Sequence, residues 1–260
     1  MSDTKASELF DLTGKVAVIT GGAGGIGTVY GRAIAEAGGS VVLADLNGEA
    51  AVAAAAELEA DGFSAMGVHV DITDPVSANA MAAQVVERFG GIDILVNNAA
   101  LMTELPASSL IDLPTEWFER VIRVNVMGAV VCSKAVLESM VSRGGGRIIN
   151  GSSAGGFMAG GIYGVSKYAL HSVTANLATE LGPRGINVNS IAPGLVANDS
   201  GYRALAKDAP ARAHLSMLVP GKTEGPPEDL VGTLLLLCSK AGDWINGQTI
   251  SVDGGWIMRL

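Results

Sequence analysis

Tyr163 and Lys167, in the run Tyr-Gly-Val-Ser-Lys, are the two side chains in this 260-residue chain best placed to move a proton. In a helix, a spacing of four residues puts the phenol and the ammonium on one face. A phenol titrating near 10 is a poor acid or base at neutral pH. Lowering it by about three units takes ~4 kcal/mol of preferential stabilisation of the phenolate, which a neighbouring cation helps to supply. The same spacing also occurs as an ordinary helix-surface pair. The reading therefore depends on what else the chain brings to this place.

A second cluster is the turn Thr20-Gly21-Gly22-Ala23-Gly24-Gly25-Ile26-Gly27, which follows an apolar run and opens a helical stretch reaching about Ala37. Glycines here serve three needs: positive φ in a tight turn, close approach of a pyrophosphate to bare backbone, and tight helix-to-strand packing. A helix starting at Ile26 and Gly27 would offer free N–H groups and a positive dipole end to phosphates. Asp45 closes the next apolar run, where a carboxylate accepts from both adenosine ribose hydroxyls and repels a 2′-phosphate. No Arg or Lys stands in the glycine turn or directly after Asp45, so NAD is favoured over NADP. Asp71, in Val70-Asp71-Ile72 at the end of the third apolar run, is read either as a contact to an adenine amino group, with Ile72 beside it, or as a turn cap.

Taken in order along the whole chain, these pieces resemble the short-chain dehydrogenase/reductase family. The resemblance rests on Thr20 to Gly27, Asn97-Asn98-Ala99, Asn125 in Asn-Val-x-Gly, Ser153, Tyr163-xxx-Lys167, Pro193-Gly194 and Val252-Asp253-Gly254-Gly255. It implies that Tyr163 is the general acid/base, that Lys167 lowers its pKa and holds the nicotinamide ribose, and that Ser153 hydrogen-bonds the substrate oxygen. It implies too that Asn125 holds a water in a proton relay from Lys167 to solvent, although an Asn satisfying helix backbone is compatible with the pattern. Asn98, Ala99, Pro193, Gly194 and the backbone of Val196 are expected along the cofactor cleft. Asn198 stands where the family commonly has a threonine touching the nicotinamide carboxamide, and an Asn can both donate and accept there. Ala100 replaces the usual glycine after Asn-Asn-Ala. Ser153 lies nearer to Tyr163 than the family's usual spacing, so a short loop and a more open substrate mouth are expected, and Ser152 remains the alternative serine.

These residues need a scaffold, and the hydrophobic pattern supplies one. Apolar, β-branched runs at Lys15 to Thr20, Ser40 to Ala44, Ala65 to Val70, Ile92 to Val96, Arg147 to Asn150 and Ile186 to Ile191 alternate with helical stretches. Such alternation predicts a single Rossmann-type, doubly wound parallel sheet with helices on both faces, spanning residues 1 to 260 as one domain. Asp74-Pro75 reads as a helix start, Asp112, Pro114 and Thr115 crowd the start of the next long helix, and a further helix from about Ile162 to Leu181 stops at Gly182-Pro183. The proline-broken stretch from about 197 to 227 reads as a substrate lid.

A formal charge of −9 with no basic cluster argues against a nucleic-acid partner. Cys132 and Cys238, the two cysteines, sit in apolar runs as buried thiols, and no metal site is expected. The N-terminus lacks a signal-peptide layout, and the uncharged run from Ile148 to Ser166 is too rich in glycine for a membrane span, so a cytoplasmic protein is expected. Leu101, Met102, Phe157, Met158 and Leu195, with Tyr202, Leu205, Met217 and Leu218 from the lid, are candidates for an apolar substrate pocket. The expectation is an NAD-dependent interconversion of a secondary alcohol and a ketone on a bulky apolar, cyclic or aromatic small molecule. Enoyl or imine reduction and a non-catalytic dinucleotide sensor are the alternatives. Helices from Thr115 and from Ile162, rich in Ala, Val and Met, resemble those through which this family forms dimers and tetramers, and the resemblance implies a homotetramer.

Overall fold

The computed structural model of the protein describes residues 5 to 106, 108 to 197 and 217 to 258. Six of the strands follow the apolar runs: β1 (Val16–Thr20), β2 (Ser40–Asp45), β3 (Ala65–His69), β4 (Ile94–Asn97), β5 (Gly146–Gly151) and β6 (Ile186–Pro193). Leu195–Val196 (β7) and Glu224–Gly225 (β8) form a separate two-stranded parallel ribbon. The central sheet is completed by β9 (Thr249–Val252), giving the order β3-β2-β1-β4-β5-β6-β9 with every pairing parallel.

Alternate residues along β1 enter different cores, as a pleated strand covered on both sides requires. Val16 and Val18 pack with Val85, Cys132 and Met140 on one face, while Ala17 and Ile19 pack with Ile34, Leu58 and Leu234 on the other. The helices doing the covering are α2 (Ile26–Glu36), α3 (Gly48–Ala60), α4 (Pro75–Phe89), α5 (Thr115–Ile122), α6 (Gly128–Ser142), α7 (Gly161–Leu181) and α8 (Val231–Cys238), preceded by the short α1 (Ala6–Leu9). Asp74 caps α4 by accepting from the N–H groups of Val76 and Ser77, and Pro75 opens that helix.

The structure departs from the sequence expectation in two places. β9 is a seventh central strand at the sheet edge, half-buried along its length, so it lacks the apolar run that marked the others. The long helix from Thr115 is interrupted by a π-helical turn, Arg123–Met127, between α5 and α6. By length and composition the run Thr115–Ser142 could cross a membrane. Here its Val121, Ala129, Cys132, Val136 and Met140 are buried within the protein.

Candidate active site

The strand order reverses beside β1, which lies between β2 and β4, and ligands in open α/β sheets bind outside the carboxyl ends of the strands at such a point. There the glycine turn bends with φ of +63° at Gly21 and +51° at Gly25. A Cβ on Gly27 would stand 2.2 Å from the Gly21 carbonyl oxygen, so only a bare residue lets the first turn of α2 close against the end of β1. Asn98 locks the turn from β4, donating from Nδ2 to the carbonyls of Thr20 (3.0 Å) and Gly21 (3.1 Å). Thr20 Oγ1 returns the contact by accepting from the N–H groups of Asn98 and Ala99. Asp45, at the end of β2, accepts from Ala23 N at 3.2 Å and Asn47 N at 3.0 Å, one donor on each carboxylate oxygen. Each oxygen keeps a further lone pair for a hydroxyl.

Tyr163 and Lys167 share a face of α7. The Lys167 ammonium lies 5.5 Å from the Tyr163 ring centroid and donates to the Gly151 carbonyl at the end of β5, 2.5 Å away. Among the described residues it pairs with no carboxylate. Lys167 is 2% exposed, and this burial pushes its pKa down to about 8. Burial pushes the Tyr163 phenol up to about 12, opposed by a hydrogen bond with the Ser153 hydroxyl, while the residue as a whole is half-buried. Ser153 Oγ also accepts from Gly155 N at 3.1 Å. Ser152 faces away, its hydroxyl donating to the Lys167 carbonyl and lying 2.5 Å from His171 Nε2.

Asn125 sits on the π-helical turn. Its side chain grips Leu101 in both directions, accepting from the N–H at 2.7 Å and donating to the carbonyl at 3.1 Å, and also donates to Ser166 Oγ. Ser166 Oγ in turn donates to the Tyr163 carbonyl. Asn125 thus satisfies loop backbone and not helix backbone. Asp71 acts as a turn cap, its Oδ1 accepting from the N–H and hydroxyl of Thr73. Ile72 is buried against Gly128. Gly194 donates to the Val252 carbonyl after Pro193, and a Cβ on it would meet Asp253 at 2.8 Å. Val196 lies half-buried in β7. Asn198, Tyr202 and Leu205 fall outside the described residues.

The short stretch after Ser153 packs onto α7. It folds into a 3-10 turn, Ala154–Phe157, whose Gly156 lies flush on the Lys167 and Tyr168 backbone of α7, where a Cβ would meet atoms at 3.0 and 3.1 Å. A cleft of about 750 Å³ lies between this turn and residues 108 to 110, with Phe157, Met158 and Tyr168 among its lining. Sequence reading passed over Gly151 and His171, and gave Leu101 a place in the substrate pocket without its hold on Asn125. The available signal for His171 was its place one helical turn after Lys167.

A profile for the family described as enoyl-(acyl carrier protein) reductase matches residues 21 to 257. An uncharacterised oxidoreductase of Mycobacterium tuberculosis is 41% identical over 245 residues, covering 94% of this chain and 98% of its own. The sorbitol dehydrogenase of Cereibacter sphaeroides is 38% identical over 257 residues, covering 94% and 98%. Among solved structures, gluconate 5-dehydrogenase from Burkholderia cenocepacia, in complex with NADP and tartrate, superposes with a TM-score of 0.91 at 33% identity, over 97% of this chain and 98% of that one. A 7α-hydroxysteroid dehydrogenase complexed with NADH and 7-oxo glycochenodeoxycholic acid gives 0.90 at 32%, over 99% and 100%. The reversed strand order, the glycine turn and the agreement with these proteins along nearly the full length lead to one conclusion: the chain belongs to the short-chain dehydrogenase/reductase family and is an oxidoreductase of that class.

Proposed function

We propose that the protein is an NAD(H)-dependent dehydrogenase that interconverts a secondary alcohol and a ketone, with Tyr163 as the proton-transferring group. The observation that carries this reading is a chain of contacts at one sheet edge. Gly151 receives the Lys167 ammonium and abuts Asn98, and Asn98 in turn holds Gly21 of the glycine turn. Proton chemistry and dinucleotide cradle are thereby joined.

The glycine turn, with a Cβ excluded at Gly27, fits a pyrophosphate, and the spare lone pairs of Asp45 suit unmodified ribose hydroxyls, which favours NAD over NADP. Asn98, Ala99, Pro193, Gly194, Val196 and Asn198 complete the proposed cofactor cleft, with Asp71 and Ile72 at its adenine end. A bound nicotinamide dinucleotide supplies the hydride acceptor or donor. Tyr163 takes the hydroxyl proton in oxidation and returns it in reduction, Ser153 orients the substrate oxygen, and Lys167 contributes charge beside the phenol. Burial holds the phenol above its ordinary value, so working near neutrality calls for preferential stabilisation of the phenolate, to which the Lys167 charge contributes and a bound oxidised nicotinamide would add. Asn125 connects this centre to Leu101 and is the proposed outlet of the proton relay.

For the substrate, Phe157 and Met158 in the cleft lining, with the apolar candidates Leu101, Met102 and Leu195, favour a bulky apolar, cyclic or aromatic alcohol. A second reading, a sugar alcohol or sugar acid, is favoured by the relatives named sorbitol and gluconate 5-dehydrogenase. A lid over residues 197 to 227, a homotetramer and a cytoplasmic location belong to the same proposal. Turnover of a panel of steroid, aryl and polyol alcohols with NAD, by wild type and by Tyr163→Phe, tests it: activity on some member that is lost in the variant is expected. Wild-type turnover in Tyr163→Phe contradicts it.

A further inference from the structure

We infer that His171 is the positioning residue for the loop that carries Ser153. The inference rests on the reaction proposed above for its effect on rate, but the loop anchorage stands on geometry alone. The loop's first residue, Ser152, sets its hydroxyl 2.5 Å from His171 Nε2, and its last, Phe157, stacks on the same imidazole with centroids 4.3 Å apart and planes 29° from parallel. Between them a Cβ on Gly156 would stand 2.9 Å from His171 Cε1, so the loop is pressed onto this ring along its length. Tyr168 meets the imidazole edge-on, with centroids 5.9 Å apart.

The hydroxyl of Ser152 has one proton, and it goes to the Lys167 carbonyl at 3.2 Å. The imidazole is therefore the donor in the short contact, and Ser152 accepts. The consequence for Ser153 follows from backbone geometry. Ser153 is extended, with φ −164° and ψ 151°, and successive side chains of an extended segment point to opposite sides. Tying Ser152 to α7 on one side aims the Ser153 hydroxyl to the other, toward the Tyr163 phenol it hydrogen-bonds. Lys167 and His171 lie one turn apart on α7, so a single helix carries the ammonium, the phenol and the anchor of the serine loop.

Three variants test this. His171→Phe keeps a ring against Phe157 but has no donor, His171→Gln keeps a donor, and Ser152→Ala removes the acceptor from the other end. Hydrogen–deuterium exchange of the peptide covering residues 152 to 160 reads the anchorage without any substrate. In His171→Phe and Ser152→Ala its exchange is expected to rise about fivefold or more, with the turn at residues 20 to 27 unchanged. On any substrate turned over, kcat is expected to fall roughly tenfold to a hundredfold while the NADH dissociation constant stays within about twofold, since a displacement near 1 Å is felt that strongly at a reacting centre. His171→Gln restores kcat to within about threefold of wild type, and the Ser152→Ala/His171→Phe double variant is no worse than either single. Unchanged exchange at residues 152 to 160 overturns the anchorage, and unchanged kcat or additive losses overturn the positioning role. Loosened exchange in a protein whose wild type oxidises and reduces nothing leaves the anchorage standing and defeats the proposed reaction instead.

Discussion

Asp93 and Asp45 stand at opposite ends of the same sheet, and their surroundings differ in kind. Asp93, just before β4 at the amino end, is 4% exposed and receives Lys15 Nζ at 3.2 Å, Arg143 Nη2 at 2.9 Å and Val16 N at 3.0 Å. Around it the same economy holds: Arg147 pairs with Asp243, Asn187 and Asn189 both donate to the Ile245 carbonyl, and Asn246 accepts from Val188 N. At the carboxyl end Asp45 meets backbone donors alone and Lys167 a backbone carbonyl alone; among the described residues neither faces an opposite charge. A buried charge without a counter-charge is costly. Where the amino end spends its polar groups on one another, the carboxyl end holds them for a ligand that carries hydroxyls, phosphates and a positive ring.

Five substitutions, one of them a control, break or sharpen that contrast. The largest effect is expected from Tyr163→Phe, which removes the proton-transferring oxygen and should lower kcat by roughly a thousandfold with NADH affinity nearly unchanged, as steady-state kinetics and a fluorescence titration would read. Next is Gly27→Ala, whose Cβ has no room against the Gly21 carbonyl; a loss of about 3 kcal/mol in urea unfolding with weakened NADH binding is expected. Gly24→Ala, which meets nothing within 4 Å, should stay within ~0.5 kcal/mol of wild type and serves as its control.

At the other end of the sheet, Asp93→Asn should cost about 2 kcal/mol of stability and leave kcat alone, because it strands Arg143 and Lys15 without touching the cleft. Its pH dependence has a definite sign. Burial raises the Asp93 pKa, but hydrogen bonds from Arg143, Val16 and Lys15 and the charge of Lys15 outweigh it, so the folded value lies below the model-compound 3.8. The stabilisation is present above that pH and lost as pH falls through the folded value. Urea midpoints of wild type and variant should therefore converge in strong acid and differ at neutrality. Apart from the Gly24 control, the smallest effect is expected from Asp45→Ser, which removes the charge facing a 2′-phosphate. Titration should show the NADH-over-NADPH preference falling about tenfold.

The amount of this that was legible beforehand varied with the physics involved. β1, β2 and β4, in the interior of the sheet, are nearly continuous apolar runs because both faces are covered, whereas β9, at an edge and half-buried throughout, carries no such run. The shared face of Tyr163 and Lys167 followed from helical spacing, and the glycine turn from its position after a strand. Choosing between Ser152 and Ser153 needed the backbone, since only the extended conformation sends adjacent serines to opposite sides. The phenol's pKa was read as lowered by lysine; desolvation, which a linear sequence does not display, raises it in the folded chain. His171 had no motif to announce it, and its partners, Ser152 and Phe157, come from a loop 19 and 14 residues away.

The central claim is that the carboxyl end of the sheet is built around an unphosphorylated nicotinamide dinucleotide. A paired fluorescence titration of the purified protein with NADH and NADPH tests it most directly. Saturable binding of both, with NADH the tighter by about tenfold or more, is the predicted result. Failure to bind either nucleotide would contradict the account, and a preference for NADPH would contradict the role given to Asp45.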